Sequence, residues 1–117
     1  MSGVKTISIE QLDQRLKSGA AFQFWNVLSD QYFNGELIVG SLRVPVDTVG
    51  REASRLGLPK DGEIIVYCSD YNCSLSRKAA EKLGTLGFTN VRAYEGGLVE
   101  WKDSGRSVAQ LVTALAA

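Results

Sequence analysis

Two cysteines, Cys68 and Cys73, lie five residues apart, and the chain contains no histidine. They bound most of a loop, Cys68-Ser69-Asp70-Tyr71-Asn72-Cys73-Ser74-Leu75, between an apolar run and a helical segment that starts near Ser76. The missing histidine excludes a serine–histidine triad, a papain-like cysteine–histidine pair and a histidine general base. Two cysteines cannot supply a four-ligand zinc site, and they are too few for a disulfide scaffold. A thiol here must be activated by its surroundings. Cys68 follows a strand at its carboxyl end, where ligands bind in parallel α/β sheets. The next helix points its unsatisfied N–H groups and partial positive charge at the same place, which lowers a thiol's pKa. If the loop N–H groups also turn inward, they form a small anion nest. A thiolate in such a cup suits a sulfur oxyanion or the terminal sulfur of a persulfide. The competing reading is plain core, because cysteine at the end of an apolar strand is often inert and buried.

The elements around the loop follow from pattern. Glu63 to Tyr67 (EIIVY) is a β-branched run of the kind buried on both faces of a sheet. Ser76 to Leu86 is helical, with Ala79, Ala80, Leu83 and Leu86 on its apolar side and Gly87 as its stop. Thr6 to Ser8 reads as a short strand leading into a helix, with Ser8 and Gln11 forming a capping box and Ile9, Leu12 and Leu16 its stripe. Ala21 to Val27 is a strand, and Ser29 to Gly40 is loop-like with one helical turn. Ser41 to Val44 is a short strand ended by Pro45, and Asp47 to Leu56 a helix with Asp47 as N-cap. Pro59 to Gly62 is a turn, Val91 to Tyr94 a strand, and Leu98 to Asp103 a short helix after the Gly96-Gly97 break. Val108, Leu111, Val112 and Leu115 are spaced for a final packed helix over about 107–116. Alternating strands and helices argue for a parallel sheet covered on both faces, in one domain over 1–117.

Composition narrows the function. Apolar residues make up 44% of the 117, enough for one core. Thirteen basic and thirteen acidic residues cancel, so the chain has no field for a polyanion and nucleic acid is not an expected partner. No apolar stretch is long enough to span a bilayer, and no basic-then-apolar signal opens the chain. A cytoplasmic location is the expectation.

The ordered motifs resemble a single-domain rhodanese, a sulfurtransferase homology domain, over nearly the full length. The residues that carry the resemblance are Asn26-Val27-Leu28, Gly35 through Pro45, Val66-Tyr67-Cys68, Ser76-Arg77-Lys78-Ala79-Ala80, Leu86-Gly87-Phe88-Thr89-Asn90-Val91, and Gly96-Gly97 with Trp101. The resemblance implies a three-layer α/β domain with five parallel strands and helices on both faces. It also places Cys68 at the position of the sulfur-carrying nucleophile.

Three departures stand out. Asn26 and Leu28 replace the aspartate and arginine usual in the family, which reads as a neutral substitute for a charged network. The loop is longer than usual. No arginine or lysine lies between Cys68 and Leu75, which argues against a phosphatase, since phosphoryl transfer wants an arginine clamp. Arg77 and Lys78 read as solvated helix residues, Asp70 as pointing outward, and Tyr71 as a rim residue. With two thiols in the loop, a persulfide on Cys68 could be attacked by Cys73, releasing sulfide and leaving a disulfide. Alternatively, Cys73 is the exposed nucleophile and Cys68 its buried support. The expected function is a sulfurtransferase that takes sulfur from thiosulfate or a low-molecular persulfide and gives it to a thiol acceptor, with Cys68 as carrier, the loop residues as the donor's cradle and no metal or organic cofactor. A non-catalytic binding module and a thiol redox sensor are the alternatives.

Overall fold

The computed structural model describes residues 4–19 and 21–110. Five parallel strands form one sheet: β1 (Lys5–Thr6), β2 (Gln23–Asn26), β4 (Leu42–Arg43), β5 (Ile64–Tyr67) and β6 (Val91–Tyr94). Their spatial order is β1-β6-β5-β2-β4, so β5 is central. All four residues of β5 are buried, which requires cover on both faces and accounts for its unbroken apolar run. Helices α1 (Ile9–Lys17), α2 (Val49–Leu56), α3 (Leu75–Thr85) and α4 (Gly97–Asp103) supply the outer layers. The α/β class and the five parallel strands are those expected.

Local sequence explains several boundaries. The Ser8 hydroxyl accepts the Gln11 N–H at 3.1 Å, and Gln11 Oε1 accepts the Ser8 N–H at the same distance, closing the expected capping box on α1. Gly57 ends α2 in the left-handed conformation, which lacks a steric penalty only for glycine. Ser29 to Phe33 makes one helical turn, with the Phe33 N–H donating to the Ser29 carbonyl.

Three expectations are corrected. Asp47 does not cap α2; it lies in a 3-10 turn, Val46–Thr48, and Thr48 precedes the helix without a side-chain cap. The loop after Ser29 contains a strand, β3 (Glu36–Ile38). Val108 does not begin a helix: Val108–Gln110 is β7, antiparallel to β3 with Ile38 opposite Val108. The two short strands satisfy each other's backbone groups, a pairing that helical spacing hides. The rest of the expected final helix, residues 111–116, lies outside the described residues.

Tyr67 ties the central strand to this region. Its buried hydroxyl accepts the Ile38 N–H at 2.9 Å and shares a 2.7 Å hydrogen bond with Ser41 Oγ. Tyr67→Phe leaves the buried Ile38 donor without that partner and is expected to cost about 1–3 kcal/mol in urea unfolding. An unchanged midpoint would mean that water or another acceptor replaces the phenol.

Candidate active site

The loop from Cys68 to Leu75 crosses the carboxyl end of the central strand. Its first two residues are fixed by the start of α4. The Leu98 N–H donates to the Cys68 carbonyl at 3.1 Å, and the Val99 N–H donates to the Ser69 carbonyl at 2.9 Å. Such close backbone approach is possible because Gly97 has no Cβ and a φ of +63°. Further along, the Asp70 carboxylate accepts the Asn72 N–H at 3.0 Å and the Asp70 carbonyl accepts the Cys73 N–H at 3.1 Å. Asp70 is therefore half-buried and turns the loop by local bonding, as this residue type commonly does.

The loop brings both sulfurs to one place in different environments. Cys68 is 1% exposed, and its thiol donates to the Cys73 carbonyl at 3.5 Å. Burial, then the bond to Cys73 and that group's charge, push the Cys68 thiol up to about 11. The Ser76 N–H and hydroxyl pull the other way without prevailing. Burial thus works against the activated Cys68 thiolate that the helix N-terminus alone suggests. Cys73 is half-buried, and both thiols are free. Burial also opposes its ionisation, but the Cys68 thiol, the N–H groups of Leu75 and Ser69 and the Ser69 hydroxyl outweigh burial. Cys73 is held below the ordinary thiol range. The Leu75 and Ser69 N–H groups thus favour the Cys73 thiolate, and the Ser76 N–H that of Cys68.

Ser76 is the second residue of α3 and 1% exposed, and its hydroxyl completes no hydrogen bond in the structure. It is nevertheless close enough to Cys68 to favour that thiol's ionised form. Ser74 and Asn72 are exposed, and Leu75 is half-buried against the core. Tyr71 is 68% exposed and forms the rim, as expected from its place in mid-loop. Its hydroxyl reaches Glu100 Oε2 at 3.4 Å, while the buried Tyr94 hydroxyl donates to Glu100 Oε1 at 2.8 Å. The Glu100 carboxylate thus links the loop rim to the end of β6. Burial, then the hydrogen bond to this carboxylate, push the Tyr94 phenol far up. Arg77 is exposed and paired with Glu95 at 2.5 Å, and Lys78 is exposed. Neither Tyr94 nor Glu100 was among the residues expected from sequence. Their signal is only the short distance in sequence between β6, Gly96-Gly97 and α4.

Asn26 shows how the carboxyl end of β2 is held by an amide instead of a charged pair. It is fully buried; its Oδ1 accepts the Leu28 N–H at 3.0 Å, and its Nδ2 donates to the Glu36 carbonyl at 3.3 Å. Arg43 donates to the Asn26 carbonyl at 3.3 Å and to Asp30 at 3.0 Å. An amide fits because one side must accept and the other donate. Asn26→Asp sets a carboxylate oxygen against the Glu36 carbonyl and is expected to cost about 1–3 kcal/mol. A gain in stability would show instead that Arg43 turns to pair with the new charge.

A family model described as the rhodanese-like domain matches residues 8–104. The chain belongs to the rhodanese-like domain family. Among solved structures it is similar to the Alr3790 protein of Anabaena (27% identity over 91% of this chain and 81% of that one, TM-score 0.78). It is also similar to the human single-domain sulfurtransferase TSTD1 (22% identity, 86% and 97%, TM-score 0.70). A thiosulfate sulfurtransferase from Pseudomonas aeruginosa shares the fold at 19% identity over 96% of this chain and 21% of that one, with a TM-score of 0.78. Comparison with curated proteins finds no match. Among the described residues, no helix is long and apolar enough to cross a membrane.

Proposed function

We propose that this chain is a sulfurtransferase that carries a sulfane sulfur on its active loop, with Cys73 as the carrier. The observation behind this reading is the division between the two thiols. Cys68 is buried beneath the loop with its S–H turned to a carbonyl, while Cys73 is part exposed and its thiolate is favoured by the Ser69 and Leu75 N–H groups. The resemblance to single-domain rhodaneses favours Cys68 by position; access and ionisation favour Cys73.

In the first half-reaction the Cys73 thiolate attacks the outer sulfur of a donor. With thiosulfate, the new S–S bond forms as sulfite leaves; with a low-molecular persulfide, a thiolate leaves. The N–H groups of Ser69 and Leu75 hold the negative charge at the sulfur before and after transfer. A thiol acceptor then removes the outer sulfur. The loop has no cation, and Arg77 is held by Glu95, so a singly charged persulfide suits the site better than dianionic thiosulfate.

Intact-protein mass after exposure to each donor tests the reading. Cys68→Ser is expected to gain one sulfur, about 32 Da, that cyanide removes, and Cys73→Ser is expected to gain none. The opposite pattern moves the carrier to Cys68. No gain in either variant with either donor would leave a binding module of the same fold.

A further inference from the structure

Sulfur transfer to an external acceptor makes no use of two features of the loop. One is a second free thiol set against the carrier, where an external acceptor has no need of it. The other is the buried Ser76 hydroxyl, which completes no hydrogen bond and sits beside that second thiol. Buried hydroxyls are ordinarily paired, and an orphan beside a nucleophilic group calls for a role.

We propose that Cys68 is a built-in resolving thiol, so that the loop reduces the sulfur it accepts to sulfide and closes as a Cys68–Cys73 disulfide. The proposal rests on sulfur transfer to Cys73. Cys68 sulfur attacks the inner sulfur of the Cys73 persulfide, forming the Cys68–Cys73 bond and breaking the bond to the outer sulfur. That sulfur leaves as hydrosulfide with the electron pair, and the Cys68 proton passes to solvent. The outer sulfur is reduced by two electrons and the two cysteines are oxidised by two. A dithiol reductant then opens the disulfide by exchange, restoring both thiols and becoming a disulfide itself.

The environment changes in the direction this step needs. In the resting loop, charge on Cys73 opposes ionisation of Cys68. Once Cys73 holds a second sulfur, the charge resides on the outer atom, one bond farther from Cys68, and this opposition weakens. The Ser76 N–H and hydroxyl then face a developing thiolate. Cys68 is buried, so an external thiol reaches it poorly, while Cys73 lies within the same loop. Proximity replaces a bimolecular encounter.

A single-turnover experiment decides. Reduced wild-type protein is mixed with one equivalent of glutathione persulfide, and sulfide and intact mass are followed together. The expected result is about one sulfide per chain, a mass about 2 Da below the reduced protein, and restoration by a dithiol. Cys68→Ser should keep its added sulfur and release no sulfide. Ser76→Ala should load normally and release sulfide roughly tenfold more slowly, the loss of one hydrogen bond to a charged group. Wild type that holds the added sulfur without releasing sulfide overturns this proposal and leaves the transferase reading intact. Failure of Cys68→Ser and Cys73→Ser alike to load removes both.

Discussion

Gly97→Ala is expected to dislodge the active loop and lower the melting temperature by on the order of 10 °C or more. Glycine at this position has a φ of +63°, where a side chain carries a penalty of about 1–2 kcal/mol before any clash. A Cβ would then lie 2.6 Å from the Cys68 carbonyl oxygen, 2.6 Å from the Ser69 carbonyl carbon and 2.7 Å from its oxygen. All three atoms are backbone, so no rotamer change relieves them. Either α4 moves away and loses the Leu98 and Val99 hydrogen bonds, or the loop moves and carries both cysteines with it. Sulfur loading should fall with stability. Gly96→Ala makes a useful contrast. Its Cβ would meet the Glu100 side chain, whose carboxylate can swing aside, although the Glu100 Cβ at 2.9 Å must give as well. The expected loss is smaller and falls on the Tyr71 and Tyr94 contacts. Thermal unfolding of the two variants tests the ordering, and a Gly97→Ala protein as stable as the parent would show that the loop is not held as described.

What the sequence revealed follows the range of the interactions involved. The capping box at Ser8 and Gln11 closes within one turn, so the residues that specify it are adjacent in the text. The run from Ile64 to Tyr67 announces a central strand because burial on both faces leaves no polar alternation. The β3–β7 pair is the opposite case. Glu36 meets Gln110 across most of the chain, and nothing local in either segment records the other. Helical spacing from Val108 onward was a true periodicity in the letters but not in the described backbone. Asp47 failed as a cap for a similar reason: the chain enters α2 through a 3-10 turn that puts Thr48 at the cap.

The site divides along the same line. Two thiols in one loop without a cation were legible, and so were the rim position of Tyr71 and the solvent position of Arg77. The character of each thiol was not. A strand end next to a helix start predicts a lowered pKa for Cys68 from the dipole alone. The sign reverses because desolvation outweighs the helix start and because the Cys73 side chain, by hydrogen bond and by charge, opposes the Cys68 thiolate. The N–H groups around the loop are shared: those of Ser69 and Leu75 favour the Cys73 thiolate, and that of Ser76 favours the Cys68 thiolate. Which sulfur each group favours depends on a turn set by Asp70 and on Gly97 contacts from another element, neither of which a motif records.

Alkylation at neutral pH should therefore be strongly selective for Cys73. At pH 7 a thiol displaced to about 11 is ionised in about one molecule in ten thousand, while Cys73, displaced downward, is ionised more often than an ordinary thiol. The thiolate is the reacting form, so ionisation favours Cys73, and the burial of Cys68 adds to that advantage. The pH dependence has a definite sign. For each thiol the rate rises about tenfold per pH unit below its pKa and levels above it. Cys73 labelling should level off below the ordinary thiol value, while Cys68 labelling should still be climbing there. Peptide mapping after brief iodoacetamide treatment across a pH series reads both curves from the same sample. Equal labelling at pH 7, or Cys68 labelled first, would return the carrier's role to Cys68. A Cys68 curve that moves down in Cys73→Ser would show the two thiols acting on each other, because that variant removes the neighbouring charge that opposes Cys68 ionisation.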